Sequence, residues 1–347
     1  MKDHIIKLSY PLLDWYHQNK RSLPWRDDPT PYHVWISEIM LQQTRVEAVK
    51  GYYTRFLEHF PCVDALADAD ELTLSKCWEG LGYYSRMRNL SRCAKLLRDS
   101  FDSTLPDTYD ALLKLPGIGS YTAGAIASIA YGQKVPAVDG NVLRVMSRIF
   151  AHDAPIDEQK TKDFWFSVLL DAMPNDPGAF NQALMELGAT VCLPNGAPHC
   201  DTCPVRDLCK AGIEQSYASY PKKKPKKARR IEKRTYLLLV TDQKFLLHQR
   251  ADKGLLASLW EYPNVEGHLT KEEVNELLAS RGAKPLAIRE LAESKHIFTH
   301  IEWQIKAYAV YCSKLQPLEN ELLLTDEQIE SEYALPSAFD KYDRKEL

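Results

Sequence analysis

Four of the eight cysteines crowd into one short stretch of the chain. They fall within 18 residues, at Cys192, Cys200, Cys203 and Cys209, whereas the other four are scattered among apolar neighbours. Thiols this close together in a chain predicted to be cytoplasmic favour metal binding over disulfides. Zinc usually takes two separated cysteine pairs, and a compact string followed by proline is more typical of a [4Fe-4S] cluster. The spacing predicts a metal centre and leaves zinc as the alternative.

Two carboxylates lie where acid–base chemistry could occur. Glu38 is part of an apolar stretch, residues 33–49, whose periodicity predicts one helix with Trp35 and Gln42 near the carboxylate. A surface acid on that helix is the alternative interpretation. Asp139 precedes Gly-Asn and a new apolar helical run, so it is well placed to cap a helix. By itself, capping would explain Asp139.

A glycine-rich turn between two helical runs suggests phosphate binding. Pro116 and Gly117 stop the first run, and Gly119 lets an alanine-rich helix begin. Unpaired amide groups at such a helix N-terminus favour a phosphate. The pattern predicts a helix-hairpin-helix in which the proline and both glycines are required, and it disfavours an ordinary structural turn.

The elements that position these residues change character along the chain. Residues 1–211 have helical periodicity, whereas strands begin at Thr235. The predicted strands are Tyr236–Val240, Phe245–Arg250 and Trp303–Tyr311, and the predicted helix between them is Glu272–Ala279. We expect a mostly α domain over 1–213, a basic linker over 214–234 and an α+β domain over 235–347.

The total charge conceals how charge is distributed. The 347 residues include 44 basic and 47 acidic ones, and this near-neutral total alone argues against nucleic acid as a partner. Divided by segment, the net charge is −5 over 1–221, +8 over 222–234 and −6 over 235–347. The basic run is too polar to fold alone, which predicts an extended tether or a phosphate-tracking arm. No window approaches the roughly 18 apolar residues of a membrane span, so we expect a soluble, cytoplasmic protein.

Several stretches follow one another in a recognisable order. They are LPWR at 23–26, SEIMLQQT at 37–44, GLGYYSR at 80–86, LPGIGSYTAG at 115–124, VDGNV at 138–142, FNQALMELG at 180–188 and the cysteine string. This order resembles the helix-hairpin-helix DNA glycosylase superfamily and, within it, the adenine DNA glycosylase (MutY) family. The resemblance implies a [4Fe-4S] cluster on the loop 192–209, duplex DNA as partner, and removal of adenine mispaired with 8-oxoguanine or guanine.

By this resemblance the catalytic residues are Glu38, Asp139, Tyr121 and Asn141. Glu38 is the general acid that protonates adenine at N7, and burial beside Trp35 must raise its pKa. Asp139 stays ionised and stabilises the cationic sugar. Asn141 and Tyr121 orient Asp139. Tyr121 stands where endonuclease III carries a Schiff-base lysine, so we predict a monofunctional glycosylase with little lyase activity.

The resemblance also assigns DNA-reading residues. They are Arg26, Gln43, Tyr83, Pro116, Gly117, Gly119, Phe298, Thr299 and His300. Gln43 and Tyr83 act as the wedge, and the hairpin grips the backbone. Residues 235–347 resemble a Nudix fold whose loop at 297–300 reads 8-oxoguanine, with Thr299 in place of the family's serine. A strand end with a buried Phe298 and a surface His300 is the alternative.

Two other function classes are compatible with parts of the sequence. A non-catalytic lesion-binding protein would not need both Glu38 and Asp139. A Nudix nucleotide hydrolase would need acids to hold magnesium, and residues 282–284 are Gly-Ala-Lys where acids are required. We therefore expect a monomeric base-excision enzyme. The seven-residue first cysteine spacer, where the family has six, puts the DNA affinity of the cluster loop in doubt.

Overall fold

The computed structural model describes residues 1–225, 228–342 and 344. Contacts within the chain divide it into two compact units, the first comprising 1–69 and 88–225 and the second 70–87 and 226–347. No helix in these described ranges is both long and apolar enough to cross a membrane.

Helices make up most of the first 225 residues, as the periodicity predicts. In chain order the helices are α1 (Lys2–Asn19), α2 (Pro24–Asp27), α3 (Pro31–Leu41), α4 (Val46–His59), α5 (Val63–Ala67), α6 (Glu71–Trp78), α7 (Ser85–Ser100), α8 (Tyr109–Leu112), α9 (Ser120–Ile129), α10 (Gly140–Phe150), α11 (Gln159–Leu170), α12 (Pro177–Thr190), α13 (Lys210–Ile213), α14 (Lys271–Ser280) and α15 (Asp326–Glu332). Short 3-10 turns occur at Cys200–Thr202, Arg206–Leu208, Tyr217–Ser219 and Ser337–Phe339.

One core of the first unit forms where α1, α10, α11 and α12 meet. Leu8 from α1, Met146 from α10, Trp165 from α11 and Phe180 from α12 are all fully buried in it. Burying such apolar side chains contributes about 1.5–3 kcal/mol each. This core holds α10 and α12 in place, and both helices carry residues of the candidate site.

The prediction of one helix over residues 33–49 is wrong. Helix α3 ends at Leu41 and α4 begins only at Val46. Between them Gln43 adopts a left-handed backbone with φ of 60°. No glycine or proline marks this break, so sequence punctuation could not reveal it. The Gln42 side chain, beside the break, donates to the Thr122 hydroxyl at 3.3 Å.

The second unit is built on a mixed sheet. Its strands are β1 (Arg230–Thr241), β2 (Lys244–Gln249), β3 (Trp260–Glu261), β4 (Asn264–Glu266), β5 (Lys284–Ile297), β6 (Ile301–Lys314) and β7 (Glu321–Leu324). The order is β3-β2-β1-β6-β5, with β4 paired to β1 and β7 to β2, and only the β1–β6 pair is parallel. Alternate residues of β1 and β6 enter separate cores on the two faces. The three predicted strands and the predicted helix are confirmed, whereas β5, a mostly exposed edge strand, was not predicted.

Strand β1 begins inside the predicted linker. Arg230–Arg234 pairs with β6 from Ile301 onward. Glu232 within it accepts a hydrogen bond from Trp303 Nε1 at 2.9 Å and pairs with Arg234 at 3.1 Å. The end of the basic run is therefore strand, because the sheet supplies backbone partners that the run lacks alone.

Candidate active site

Glu38 is buried on α3. The helix is capped by Thr30, whose hydroxyl accepts the His33 N–H at 3.2 Å. Only 6% of Glu38 is exposed, and the Tyr121 hydroxyl donates a hydrogen bond to its Oε2. Burial raises the pKa of Glu38 to about 7, even though the Tyr121 hydrogen bond lowers it. The surface-acid interpretation is therefore wrong, and this carboxyl group can hold a proton near neutral pH.

Asp139 caps α10 and also holds Asn141. Its Oδ1 accepts the Val142 N–H at 2.7 Å, and its Oδ2 accepts from Asn141 Nδ2 at 2.7 Å. Burial raises the pKa of Asp139 above its usual value, while these hydrogen bonds and the charge of Arg144 act to lower it. The capping geometry is thus real, and it leaves room for a second role of the same carboxylate.

Tyr121 and Asn141 serve different carboxylates. Asn141 contacts Asp139 as expected, but the Tyr121 hydroxyl bonds to Glu38, with Met185 Sδ at 3.5 Å. The expectation that Tyr121 orients Asp139 is therefore not met. Burial and the nearby negative charges raise the pKa of Tyr121 well above its usual value, so its hydroxyl remains a hydrogen-bond donor.

Arg144 connects this site to the first cysteine. Its Nη2 donates to Asn141 Oδ1 at 2.9 Å and to the Gly188 carbonyl oxygen at 2.7 Å. Its Nε donates to the Cys192 carbonyl oxygen at 2.9 Å. The orientation of Asn141, and through it Asp139, thus depends on α12 and on the start of the cysteine loop.

One cavity of about 1150 Å³ brings the two carboxylates together. Its lining includes Glu38, Asp139, Tyr121, Asn141, Arg26, Gln43, Gly117 and Gly119, together with the apolar side chains of Trp25, Leu41 and Met185. This volume slightly exceeds the range of about 300–1,000 Å³ that is usual for ligand pockets. A nucleotide rotated out of a duplex could enter it.

The turn between α8 and α9 has the predicted hairpin form. Gly117 has φ of 77°, and a Cβ there would lie 2.5 Å from Asn89 Cβ, so glycine is required. Gly119 has φ of −93° and no atom within 4 Å of a Cβ position, so the described chain does not demand glycine there. No side chain caps α9, so amide groups of its first turn are available to a ligand. Contacts within the described chain therefore do not explain the predicted requirement for glycine at position 119.

The two predicted wedge residues share an unusual backbone. Gln43 has φ of 60° and Tyr83 has φ of 49°, both left-handed, and both side chains are exposed. The Arg86 guanidinium lies 5.5 Å from the Tyr83 ring centroid and donates to the Gly82 carbonyl oxygen at 3.0 Å. Left-handed backbone is uncommon at residues other than glycine and often marks a functional turn.

The predicted reading loop is the tight turn between β5 and β6. The Phe298 N–H donates to the Ile301 carbonyl oxygen at 2.8 Å, and its ring packs 4.8 Å from the Trp303 ring. Thr299 and His300 are exposed, and Thr299 Oγ1 lies 3.5 Å from the Tyr83 hydroxyl. The geometry agrees with a strand end, as the alternative has it, and presents a hydroxyl beside a wedge residue.

The four clustered cysteines line one small pocket. None of these four described cysteines forms a disulfide, and the pocket also includes Arg148 and Arg206. Arg148 Nη1 lies 3.2 Å from Cys192 Sγ, and the Gly212 N–H donates to Cys209 Sγ at 3.3 Å. In the part of the chain that the structure describes, no group of three or more His, Cys, Asp or Glu side chains has the arrangement of ligands to one metal ion.

Comparison with known proteins identifies the family. The adenine DNA glycosylase of Mus musculus is 37% identical over a match that covers 86% of this chain and 69% of the mouse protein. The chain belongs to the adenine DNA glycosylase family. Residues 36–166 match the model of HhH-GPD superfamily base excision DNA repair proteins, and residues 235–344 match the NUDIX domain model.

Solved structures agree with the fold expected of an adenine DNA glycosylase. A thermostable thymine-DNA glycosylase superposes with a TM-score of 0.55 at 25% identity, over 61% of this chain and 98% of that one. An endonuclease III trapped in a covalent complex with DNA gives a TM-score of 0.53 at 22% identity, over 62% of this chain and 99% of that one. The prediction of a helical glycosylase domain joined to a Nudix-like α+β domain is confirmed.

One wall of the cavity in this adenine DNA glycosylase relative was missed by the sequence reasoning. Arg21 Nε and Arg26 Nη2 donate to Glu186 at 2.7 and 2.8 Å. Burial raises the pKa of Glu186, but these two arginines hold it below its usual value. Arg26 also donates to Gln182 Oε1 at 3.2 Å and to the Arg21 carbonyl oxygen at 2.9 Å. Arg26 is predicted to contact DNA, and three of its five guanidinium N–H groups form hydrogen bonds inside the protein. The residue in the sequence that could have indicated these ion pairs was Glu186, within the stretch FNQALMELG.

The Nudix-like region uses Glu273 and Arg281 structurally. Glu273 forms a capping box with Thr270, and Arg281 Nη2 pairs with Glu321 at 2.6 Å. Ala283 is buried between Gly282 and Lys284. These contacts give residues 271–284 a packing role and offer no acid at the positions where a hydrolase needs one.

Proposed function

We propose that this DNA glycosylase removes adenine mispaired with 8-oxoguanine or guanine in duplex DNA. The observation that supports it most strongly is the buried Glu38, with a pKa raised to about 7, in the same cavity as Asp139. A carboxyl group that keeps its proton at neutral pH can act as a general acid. The family supports a DNA glycosylase activity. The identity of the mispair is the part that we propose.

The proposed reaction hydrolyses one bond. Glu38 gives its proton to N7 of adenine, the C1′–N9 bond breaks, and its electron pair leaves with the base. The sugar becomes cationic, and water adds to C1′ and loses a proton, which restores neutrality. Tyr121 supports this role because its hydroxyl fixes the Glu38 carboxyl group from one side.

Asp139 stabilises the cationic sugar in this proposal. Its Oδ2 is held by Asn141, and the Val142 N–H and Arg144 favour its ionised form. Burial opposes ionisation, so the anion depends on these partners. An anion close to a developing positive charge stabilises the transition state more than the ground state.

The base must leave the duplex before this chemistry can begin. We infer that Gln43 and Tyr83 fill the gap and that the hairpin at 116–119 grips the backbone with its amide groups. The turn at 297–300 reads the opposite base, and the exposed Thr299 hydroxyl is the group expected to recognise 8-oxoguanine.

The four cysteines fit a [4Fe-4S] cluster. All four line a common pocket, and each would supply one thiolate ligand to the cluster. When bound, the cluster supplies structural support to the loop 192–209. Metal and sulfide analysis of the purified protein tests this, and zinc without sulfide would contradict it.

Tyr121 gives no amine for Schiff-base chemistry, so we infer a monofunctional enzyme with little lyase activity. Borohydride trapping of a covalent DNA complex as fast as base loss would contradict this. We also propose that the protein works as a monomer in the cytoplasmic compartment that contains the DNA.

Single-turnover base removal tests the catalytic roles. On a duplex with adenine opposite 8-oxoguanine, Glu38→Gln and Asp139→Asn should each slow adenine release by at least about 100-fold, in line with the usual contribution of general acids. Glu47→Gln, which neutralises an exposed acid on α4, is the matched control and should match the wild type. If both site variants stay within a few-fold of the control, the assignment is wrong.

A further inference from the structure

The start of the basic run is fixed to the first unit. Three hydrogen bonds attach the segment 220–224: Arg148 Nε to the Tyr220 carbonyl oxygen at 3.0 Å, Ile156 N–H to the Lys222 carbonyl oxygen at 3.1 Å, and Lys224 N–H to Asp157 Oδ2 at 3.1 Å. An extended tether would have no such bonds. This segment therefore has a defined position before the chain reaches Lys226.

Lys223, in the middle of the segment, lines the catalytic cavity. Glu38 and Asp139 line the same cavity, as does Lys162 from α11. Lys223 is exposed and Lys162 is partly exposed, so both remain open to a ligand from solvent. Two cationic side chains from separate elements thus border the space that the extruded nucleotide would enter.

Lys160 and Lys224, close to this pair in sequence, are neutralised, whereas Lys162 and Lys223 are not. Glu158 pairs with Lys160 at 2.9 Å and with Lys224 at 3.1 Å. Within the described residues, neither Lys162 nor Lys223 forms an ion pair. Lys162 and Lys223 therefore place unpaired positive charge at the border of the cavity.

We propose that Lys223 and Lys162 bind a phosphodiester of the strand that carries the extruded nucleotide. The inference rests on the proposed function, because the cavity must hold the base and sugar of that nucleotide. Its neighbouring phosphates lie within one nucleotide of the sugar and so fall at the mouth of the cavity. Lysine ammonium groups bind phosphates as point charges and position the strand without reading sequence.

The hairpin supports this placement independently. Gly119 and Ser120 line the same cavity, and no side chain caps their helix. Amide groups at such a terminus also favour phosphate. The cavity mouth therefore carries two different kinds of phosphate-binding group, lysine ammonium groups and backbone amides. A DNA strand that passes over the cavity requires such groups.

Equilibrium binding at several salt concentrations tests the lysine site. The probe is a duplex with 8-oxoguanine opposite an adenosine analogue whose 2′-fluoro group blocks bond cleavage. Lys223→Ala should weaken binding about 5- to 10-fold at 0.1 M salt and reduce the salt slope by about one ion, the value for one lost phosphate contact. Lys162→Ala should have the same effect, and Lys223→Arg should restore both the affinity and the slope.

Lys160→Ala is the matched control. Lys160 lies on the same helix as Lys162, but it is paired with Glu158 and does not line the cavity within the described chain. We expect its salt slope to equal that of the wild type. An unchanged slope for Lys223→Ala, or equal effects of Lys160→Ala and Lys223→Ala, would overturn the proposal.

Neutral methylphosphonates placed one at a time around the analogue locate the contact. At one position next to the analogue, the wild type and Lys223→Ala should bind equally, because the charge that Lys223 meets is gone. A constant difference at every position would show diffuse electrostatics and overturn the site. If the wild type binds with the expected slope but releases no adenine from the natural mispair, the proposed function fails while the lysine site stands.

Discussion

At the scale of single residues, burial determines what the two carboxyl groups can do. Glu38 accepts one hydrogen bond from a neutral hydroxyl, and its pKa rises to about 7. Asp139 is also buried, yet it accepts hydrogen bonds from a backbone N–H and from a side-chain amide. The positive charge of Arg144 also lowers its pKa. The apolar helix alone allowed Glu38 to be a surface acid, and only the family resemblance implied its burial. It could not predict that Tyr121 would face Glu38, because that contact joins positions 83 residues apart.

The pH dependence of base removal follows from the Glu38 pKa. The acid must be protonated, so the single-turnover rate should fall as pH rises through about 7. Tyr121→Phe removes a hydrogen bond that lowers this pKa, so the alkaline limb should move to higher pH even if the rate drops. Rates measured from about pH 5 to 9 check this, and a limb that shifts to lower pH would contradict the assigned contact.

The raised pKa of Glu38 that serves catalysis should lower the stability of the folded protein. The folded-state pKa of about 7 is above the ordinary value of 4.5, so the folded state holds a proton that the unfolded state releases. Stability therefore falls as pH rises from 4.5 to 7. Glu38→Gln removes this penalty and should stabilise the protein by about 3 kcal/mol at pH 8, since each unit is worth about 1.4 kcal/mol.

Urea unfolding of both proteins at pH 8 and near pH 4.5 measures this difference. The gain should fall to about 0.4 kcal/mol at the lower pH, where Glu38 is protonated in the folded state and half protonated in the unfolded state. Glu47→Gln, on an exposed side chain, should show no comparable change between the two conditions. A wild type more stable than Glu38→Gln at pH 8 would contradict the burial argument.

At the scale of elements, the close approach of α10 and α12 sets the position of Asn141. A Cβ on Gly188 would lie 2.6 Å from Asn141 Cβ and 3.3 Å from Arg144 Nη2. The glycine was visible in FNQALMELG, but its neighbour was not. Periodicity predicts which helices exist and says little about which positions on two helices touch.

Gly188→Ala should therefore impair catalysis through Asn141. Overpacking of this kind costs about 1–3 kcal/mol, and the displaced Asn141 would no longer hold Asp139. Gly51→Ala on α4 is the control: its Cβ would meet only Arg55 Nη1 at 3.7 Å. That variant should gain up to about 1 kcal/mol and keep its rate.

Thermal unfolding and single-turnover base removal together distinguish the two glycines. Gly188→Ala should lose rate even at a temperature where it is fully folded. A rate equal to that of Gly51→Ala under those conditions would show that the contact does not matter for Asn141.

At the scale of the whole molecule, net charge was a poor guide and its distribution a better one. The near-neutral total concealed the +8 run, and the structure divides that run further. Lys224 is paired with Glu158, Lys223 borders the cavity, and Arg230–Arg234 is strand. Composition predicted a polar tether because the partners of this run lie far away in sequence. Strands β1 and β6 were predictable because β1 carries a continuous apolar run and β6 an apolar alternation.

The second unit is not continuous in sequence, since it includes residues 70–87. Within it the Leu335 N–H donates to Glu79 at 2.8 Å, and Lys76 Nζ donates to the Tyr333 carbonyl oxygen at 3.4 Å. Truncation in the basic run would leave α6 without these partners and the turn that bears Tyr83 without its neighbour Thr299. The two parts of this protein are therefore not interchangeable modules: a cut after Pro225 leaves the first unit whole but separates residues 70–87 from the rest of the second unit.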